Sequence, residues 1–264
     1  MLVLADDGKG VHLKNRIRLT MLFTTLPLLA MVLSPASATH GWSFHWARPA
    51  NPFTVVLRDN VSPKWEGYLT QASWDWSASS VLNTVIVPVT ADVNNCSLLG
   101  PSLDVARLFV SVGTVEVCNA NYGLTGWLGL AVVLVSDNHI VSGHVKLNDS
   151  YFSQSTYNTV AWKRLVTCQE VGHTLGLFHV DENFANPNLG TCMDYTNSPL
   201  GPPSNEHPNT HDYDQLEASY THLDGSGTPA SAPEAAGWAN SSSTVVDVDK
   251  HGNGTVTWIR WIPR

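Results

Sequence analysis

The sequence predicts an α+β fold. Two stretches carry helix caps and apolar residues at helical spacing, and several segments rich in branched residues are separated by Asn, Gly, Asp and Pro clusters. With 264 residues, 43% hydrophobic and only 14% charged, the chain is long and apolar enough to bury a real core, which argues against general disorder.

The elements follow in order. Phe53 to Leu57 reads as a short apolar strand, and Ser62-Pro63 supplies an N-cap followed by proline at the first helical position. A helix is predicted from there to about Trp76, with Trp65, Leu69, Ala72 and Trp76 on the face toward the core. Strands are predicted at Val81 to Val89, Leu108 to Val117, Leu128 to Val135 and Ile140 to Leu147. A second long helix is expected to start near Ser155 or Thr156 and run to about Leu175, where Gly176 offers a stop. Asp181 to Pro208 is rich in Asn, Pro and Gly and reads as irregular, and a shorter helix is expected from His211 to Tyr220. Gly225 to Ala236 has linker composition, and the runs flanking His251-Gly252-Asn253-Gly254 predict a hairpin within Thr244 to Ile262.

The N-terminus places Lys14, Arg16 and Arg18 before the apolar run Met21 to Leu33 and then Ser34-Pro35-Ala36-Ser37-Ala38, the order of a secretory signal with cleavage after Ala38. The run is shorter than the roughly 20 residues that a spanning helix needs. A secreted, extracellular location is therefore expected, with no membrane association after cleavage. The formal charge of -8 offers no basic surface for nucleic acid. A monomer is expected.

The four cysteines, Cys96, Cys118, Cys168 and Cys192, suggest two disulfides in an exported chain, and three pairings are open. No Cys-x-x-Cys is present, so a zinc knuckle or thioredoxin-like site is not indicated. Cys96 with Cys118 and Cys168 with Cys192 are the favoured pairs.

Chemistry concentrates in Gln169-Glu170-Val171-Gly172-His173-Thr174-Leu175-Gly176-Leu177-Phe178-His179. Residues four apart share a helix face, so Gln169 and His173 project together with Glu170 about a quarter turn away. Gly176 can end the helix and swing His179 back to the same point. Two imidazoles and a third donor would leave a zinc ion one open position, as a catalytic site requires.

Glu170-x-x-His173-x-x-Gly176-x-x-His179 resembles the extended zinc motif of the metzincins, with Gln169 where the opening histidine of that motif stands. Thr191-Cys192-Met193-Asp194-Tyr195 is similar to the family's Met-turn, and Asp212-x-Asp214-Gln215-Leu216 to its closing helix. The resemblance spans about Phe53 to His222. It implies a zincin-like fold with a twisted mixed sheet, an active-site helix, a Met-turn and a C-terminal helix. It also implies Zn2+ on Gln169, His173 and His179, Glu170 as general base, Met193 under the metal and Tyr195 stabilising the oxyanion. The organisation expected is a signal peptide over 1–38, a catalytic domain over 39–222, a linker over 223–243 and a hairpin extension over 244–264. The bridge between Cys168 and Cys192 would tie the zinc helix to the Met-turn. Gly129 to Val135 is expected to be the edge strand that pairs with an extended substrate.

The activity implied is secreted endopeptidase action on protein or peptide substrates. Glutamine is a poorer zinc ligand than imidazole, and Asp181, His207 and His211 are the other candidates for a replacement donor. A catalytically inactive zincin-like protein-binding domain is the competing expectation. A cell-wall or carbohydrate-binding module is a third, suggested by ten tryptophans, among them Trp258 and Trp261 of the tail hairpin. Asn60, Asn95, Asn148, Asn240 and Asn253 open glycosylation sequons.

Overall fold

A computed structural model describes residues 40–41, 44–89, 113–224 and 243–263. The segment 1–38, Cys96, the first part of the strand expected from Leu108, and Gly225 to Ala236 lie outside these residues. Eight strands, β1 (His45–Trp46), β2 (Phe53–Asn60), β3 (Leu82–Pro88), β4 (Thr114–Ala120), β5 (Trp127–Ser136), β6 (His139–Asn148), β7 (Thr244–Val248) and β8 (Gly254–Trp261), form one mixed sheet. Its order is β3-β2-β4-β6-β5-β8-β7, with β1 beside β6. The pairs β2/β3, β2/β4, β4/β6 and β1/β6 are parallel, whereas β5/β6, β5/β8 and β7/β8 are antiparallel. Strand sterics give such a sheet its right-handed twist.

Helices α1 (Pro63–Trp76) and α3 (Val160–Thr174) pack against the sheet, with the short α2 (Asp149–Phe152) just before α3 in the chain and α4 (Thr210–Ser219) after it. The expected apolar face of α1 is buried: Trp65, Leu69, Ala72 and Trp76 enter the core with Leu165, Val166 and Val171 of α3. Trp76 Nε1 donates to the Cys168 carbonyl at 3.0 Å, fixing the two helices side by side.

Helix α3 begins at Val160, five residues after the earliest position that the sequence suggested. Thr159 is its N-cap, the hydroxyl accepting from Trp162 N at 3.2 Å. Upstream, Asn148 caps α2 instead, accepting from Ser150 N at 3.1 Å, and local turns absorb Ser153 to Asn158. At the other end Gly176 takes φ +97°, and a Cβ there would lie 2.7 Å from the Phe44 carbonyl oxygen. Both the backbone conformation and the space require glycine.

The tail forms the predicted hairpin, turned by Asp249, whose Oδ1 accepts from His251 N at 2.7 Å and Asn253 N at 3.0 Å. It continues the main sheet. The pairing of β8 with β5 runs from Val135↔Gly254 to Trp127↔Trp261, so β5 is an interior strand and not the open edge expected at Gly129 to Val135. The strand expected at Leu128 to Val135 is present as β5. What sequence did not reveal is that a distant segment of the same chain satisfies its outer hydrogen-bonding groups.

Cys168 and Cys192 are bonded, with their Cα atoms 6.0 Å apart, and join α3 to the turn at Met193. Cys118 is also disulfide-bonded, to a partner outside the described residues. Among the described residues no helix is long and apolar enough to cross a membrane.

Candidate metal centre

Helix α3 buries Gln169, Glu170 and His173 completely, and the turn at Gly176 returns the chain so that His179 meets His173. His173 Nδ1 donates to the Leu177 carbonyl at 2.7 Å, a contact that the same turn creates. His179 Nδ1 lies 3.3 Å from Glu182 Oε1 and donates to it. Each ring thus commits its Nδ1 proton outward and presents a bare Nε2 inward. The two Nε2 atoms are 2.9 Å apart.

Two bare acceptors at that distance repel unless a proton or a cation lies between them. Burial drives the pKa of His173 well below its ordinary 6.5, and neighbouring His179 lowers it further. Burial also lowers that of His179, against the pull of Glu182. A shared proton is therefore disfavoured, and a cation fits the pair. A carbonyl holding one imidazole and a carboxylate holding the other are the usual support of metal-bound histidine.

Gln169 fits the same purpose. Its Oε1 and Nε2 are both buried without a hydrogen-bond partner, a condition that costs about 1–3 kcal/mol per group. Its position one helical turn before His173 would offer the amide oxygen to an ion held there.

Glu170 has both carboxylate oxygens buried without a hydrogen-bond partner. Burial raises its pKa well above the ordinary 4.5, while Arg260 pulls in the opposite direction. Its carboxyl rests against β5, where a Cβ on Gly129 would lie 2.5 Å from Glu170 Oε1 and 2.6 Å from Val166 Cγ1. Glycine at 129 is thus what lets α3 approach the sheet here.

Met193 is buried beneath α3, its sulfur only 2.7 Å from where a Cβ on Gly172 would stand. Val180 N donates to the Met193 carbonyl at 2.8 Å, which holds the segment after His179 against this turn. The ring of Tyr195 is 4.6 Å from that of His179, and its hydroxyl donates to the Ile259 carbonyl of β8.

Strand β8 therefore covers the site. The indole of Trp258 lies parallel to the His173 ring, 5.1 Å between centroids and 3° between planes, and meets Phe178 at 5.7 Å. Arg260 pairs across the sheet with Gly129 and is fully buried. It donates to the carbonyls of Asp194 at 3.3 Å and Thr196 at 3.1 Å, with its guanidinium 4.2 Å from the Tyr195 ring centroid. Burial pushes its pKa down to about 10, opposed by Tyr195, Glu170 and Asp194.

The other donor candidates are engaged elsewhere. Asp181 accepts from Asn183 N at 2.9 Å and from the Asn186 amide, fixing its own turn. His207 Nδ1 is 2.7 Å from Asp75 Oδ2, and the His211 ring packs 4.9 Å from that of His40.

A second group escaped the sequence reading. His45, His139 and Asp224 bring one ligand atom each close enough together to hold a metal ion. His45 Nε2 and His139 Nε2 lie 3.3 and 3.2 Å from Asp224 Oδ1. These residues come from β1, the start of β6 and the chain after α4, so no local spacing announced them. Compared with known protein families and with curated proteins, the chain matches none.

Proposed function

We propose that the chain is a secreted zinc-dependent endopeptidase of the metzincin type, a monomer acting on protein or peptide substrates, with zinc held by Gln169, His173 and His179. The observation that carries this reading is the pair of bare Nε2 atoms 2.9 Å apart, each oriented by a bonded Nδ1, with the Glu170 carboxyl buried on the same helix as His173. Bound zinc would supply Lewis acidity and lower the pKa of water toward about 7. Glu170, on the same helix and shielded from solvent, accepts a proton from the attacking water and returns it to the leaving amine. The Tyr195 hydroxyl donates to the carbonyl oxygen of the bond under attack. Export is supported by the Cys168–Cys192 bridge, since such bonds persist in oxidising compartments.

Strand β8 bears directly on this reading. It lies antiparallel along β5, as an extended peptide would, with its Ile259 carbonyl on the Tyr195 hydroxyl. A substrate strand requires β8 to give way, so the chain with β8 in place is closed. That closure, with glutamine as first ligand, favours one second reading: a zincin-like domain that binds proteins without catalysis.

Zinc content separates the two readings. The purified full chain, dialysed against buffered zinc, is expected to carry zinc that Gln169→His binds more tightly and His173→Ala with His179→Ala loses from this position. If the wild-type site takes up no zinc at saturation while Gln169→His does, the protein-binding reading replaces the peptidase.

A further inference from the structure

We propose that His45, His139, His222 and Asp224 form a second, structural metal site for a zinc-class divalent ion. These four residues are separate from those of the peptidase reading. His222 joins the group already described: its Nε2 lies 3.0 Å from His45 Nε2 and 3.4 Å from Asp224 Oδ1. With His45 at 3.3 Å and His139 at 3.2 Å from the same oxygen, four contacts fall between 3.0 and 3.4 Å. Four ligands at about 2.0–2.1 Å from a tetrahedral zinc stand about 3.3–3.4 Å from one another. Each of these four contacts has about the length of a ligand–ligand edge in such a shell.

Hydrogen bonds alone do not satisfy it. Consider the triangle of His45 Nε2, His222 Nε2 and Asp224 Oδ1. If both nitrogens carry a proton, two N–H groups oppose each other across 3.0 Å. If only one does, the bare nitrogen of the other faces a carboxylate oxygen, and two acceptors repel. Every proton arrangement leaves one repulsive edge. A cation at the centre removes that conflict in every arrangement.

The surroundings suit a structural ion. Arg48 Nη1 donates to Asp224 Oδ2 at 2.8 Å and Arg48 N to the same oxygen at 3.1 Å, which turns Oδ1 toward the histidines. Four protein ligands close the coordination sphere, as structural rather than catalytic zinc requires. The ion would also fasten something that needs fastening. Strand β1 pairs with β6 through only two residues, His45↔His139 and Trp46↔Ile140, and His222 and Asp224 belong to the chain just after α4. One ion would cross-link the amino-terminal strand, the sheet and the end of the helical region. His222, whose side chain is 43% exposed, leaves a route for the ion to enter.

The test uses the full chain carrying His173→Ala and His179→Ala, so that the other centre contributes nothing. One zinc per chain is expected after gel filtration, with a Tm that rises with the logarithm of free zinc and falls on chelation. Adding His222→Asn is expected to weaken zinc binding by tenfold or more. Should the His173/His179 background fail to fold, a zinc-edge anomalous map of the wild-type chain decides directly, with a peak expected about 2.0–2.2 Å from the four donor atoms. Absence of zinc in that background at saturation, affinity unchanged by His222→Asn, or a wild-type map without a peak at this cluster would overturn the proposal.

Discussion

Replacing Trp258 by alanine should weaken the fold and open the candidate site together. Trp258 is fully buried on β8, parallel to the His173 ring and against Phe178. Truncating a buried tryptophan costs about 3–5 kcal/mol. In a chain of this size, where each kcal/mol moves Tm by about 2–4 °C, Tm should fall by roughly 6–20 °C. Trp65 is the control, because it is equally buried but packs on Phe152 and donates to Asp149 at 2.9 Å, both in α2. Both variants should lose comparable stability. Only Trp258→Ala should raise zinc-dependent hydrolysis of a fluorogenic casein, assayed at a temperature where both remain folded. Equal gains in the two variants, or none in Trp258→Ala with zinc bound, would refute the inference that β8 closes the site.

Three further expectations follow from the structure. Cys168→Ser with Cys192→Ser opens a bridge spanning 24 residues, for which loop-closure entropy gives a loss of about 3.5 kcal/mol, read by urea unfolding; a loss below about 1 kcal/mol would show that packing alone holds α3 on the Met193 turn. Glu170→Gln should abolish hydrolysis while zinc stays bound. In metal-free protein it should also remove a pH dependence: the folded pKa is raised above 4.5, so stability is full below pH 4.5 and is lost as pH rises toward the folded value, and the variant should lack that decline. His144 shows the opposite sign. Burial, with Lys146 and Arg58 adding to it, lowers its pKa from 6.5 to about 4, so its contribution is present above pH 6.5 and disappears as pH falls to about 4. His144→Leu should reduce the stability difference between pH 7 and pH 4 by up to about 3 kcal/mol in denaturant titrations, and an unchanged difference would contradict the assignment.

Much of the α+β framework was legible because local signals carry it. Pro63 after Ser62 marks the start of α1, Gly176 the end of α3, and the branched runs mark β3, β5 and β6. The start of α3 was misplaced because Ser155, Thr156 and Thr159 are all cap-type residues, and only the Thr159 hydroxyl accepts from the helix, at Trp162 N. Spacing brought Gln169, Glu170, His173 and His179 together on paper, and the structure places His173 and His179 in contact. The site's cover was not legible. Nothing in Trp258, Ile259 or Arg260 tells a sequence reader that β8 lies along β5, because that pairing joins segments more than a hundred residues apart. The same limit hid the approach of His45 and His139 to His222 and Asp224, which joins segments far apart in the chain.

Cleavage of denatured casein by the zinc-loaded Trp258→Ala chain, read as new peptide ends by mass spectrometry, tests the central claim most directly. New ends should appear with zinc, vanish with a chelator, and be absent when Glu170→Gln is added to the same chain. No cleavage at saturating zinc, or cleavage undiminished by Glu170→Gln, would contradict the assignment of this site as a zinc peptidase centre.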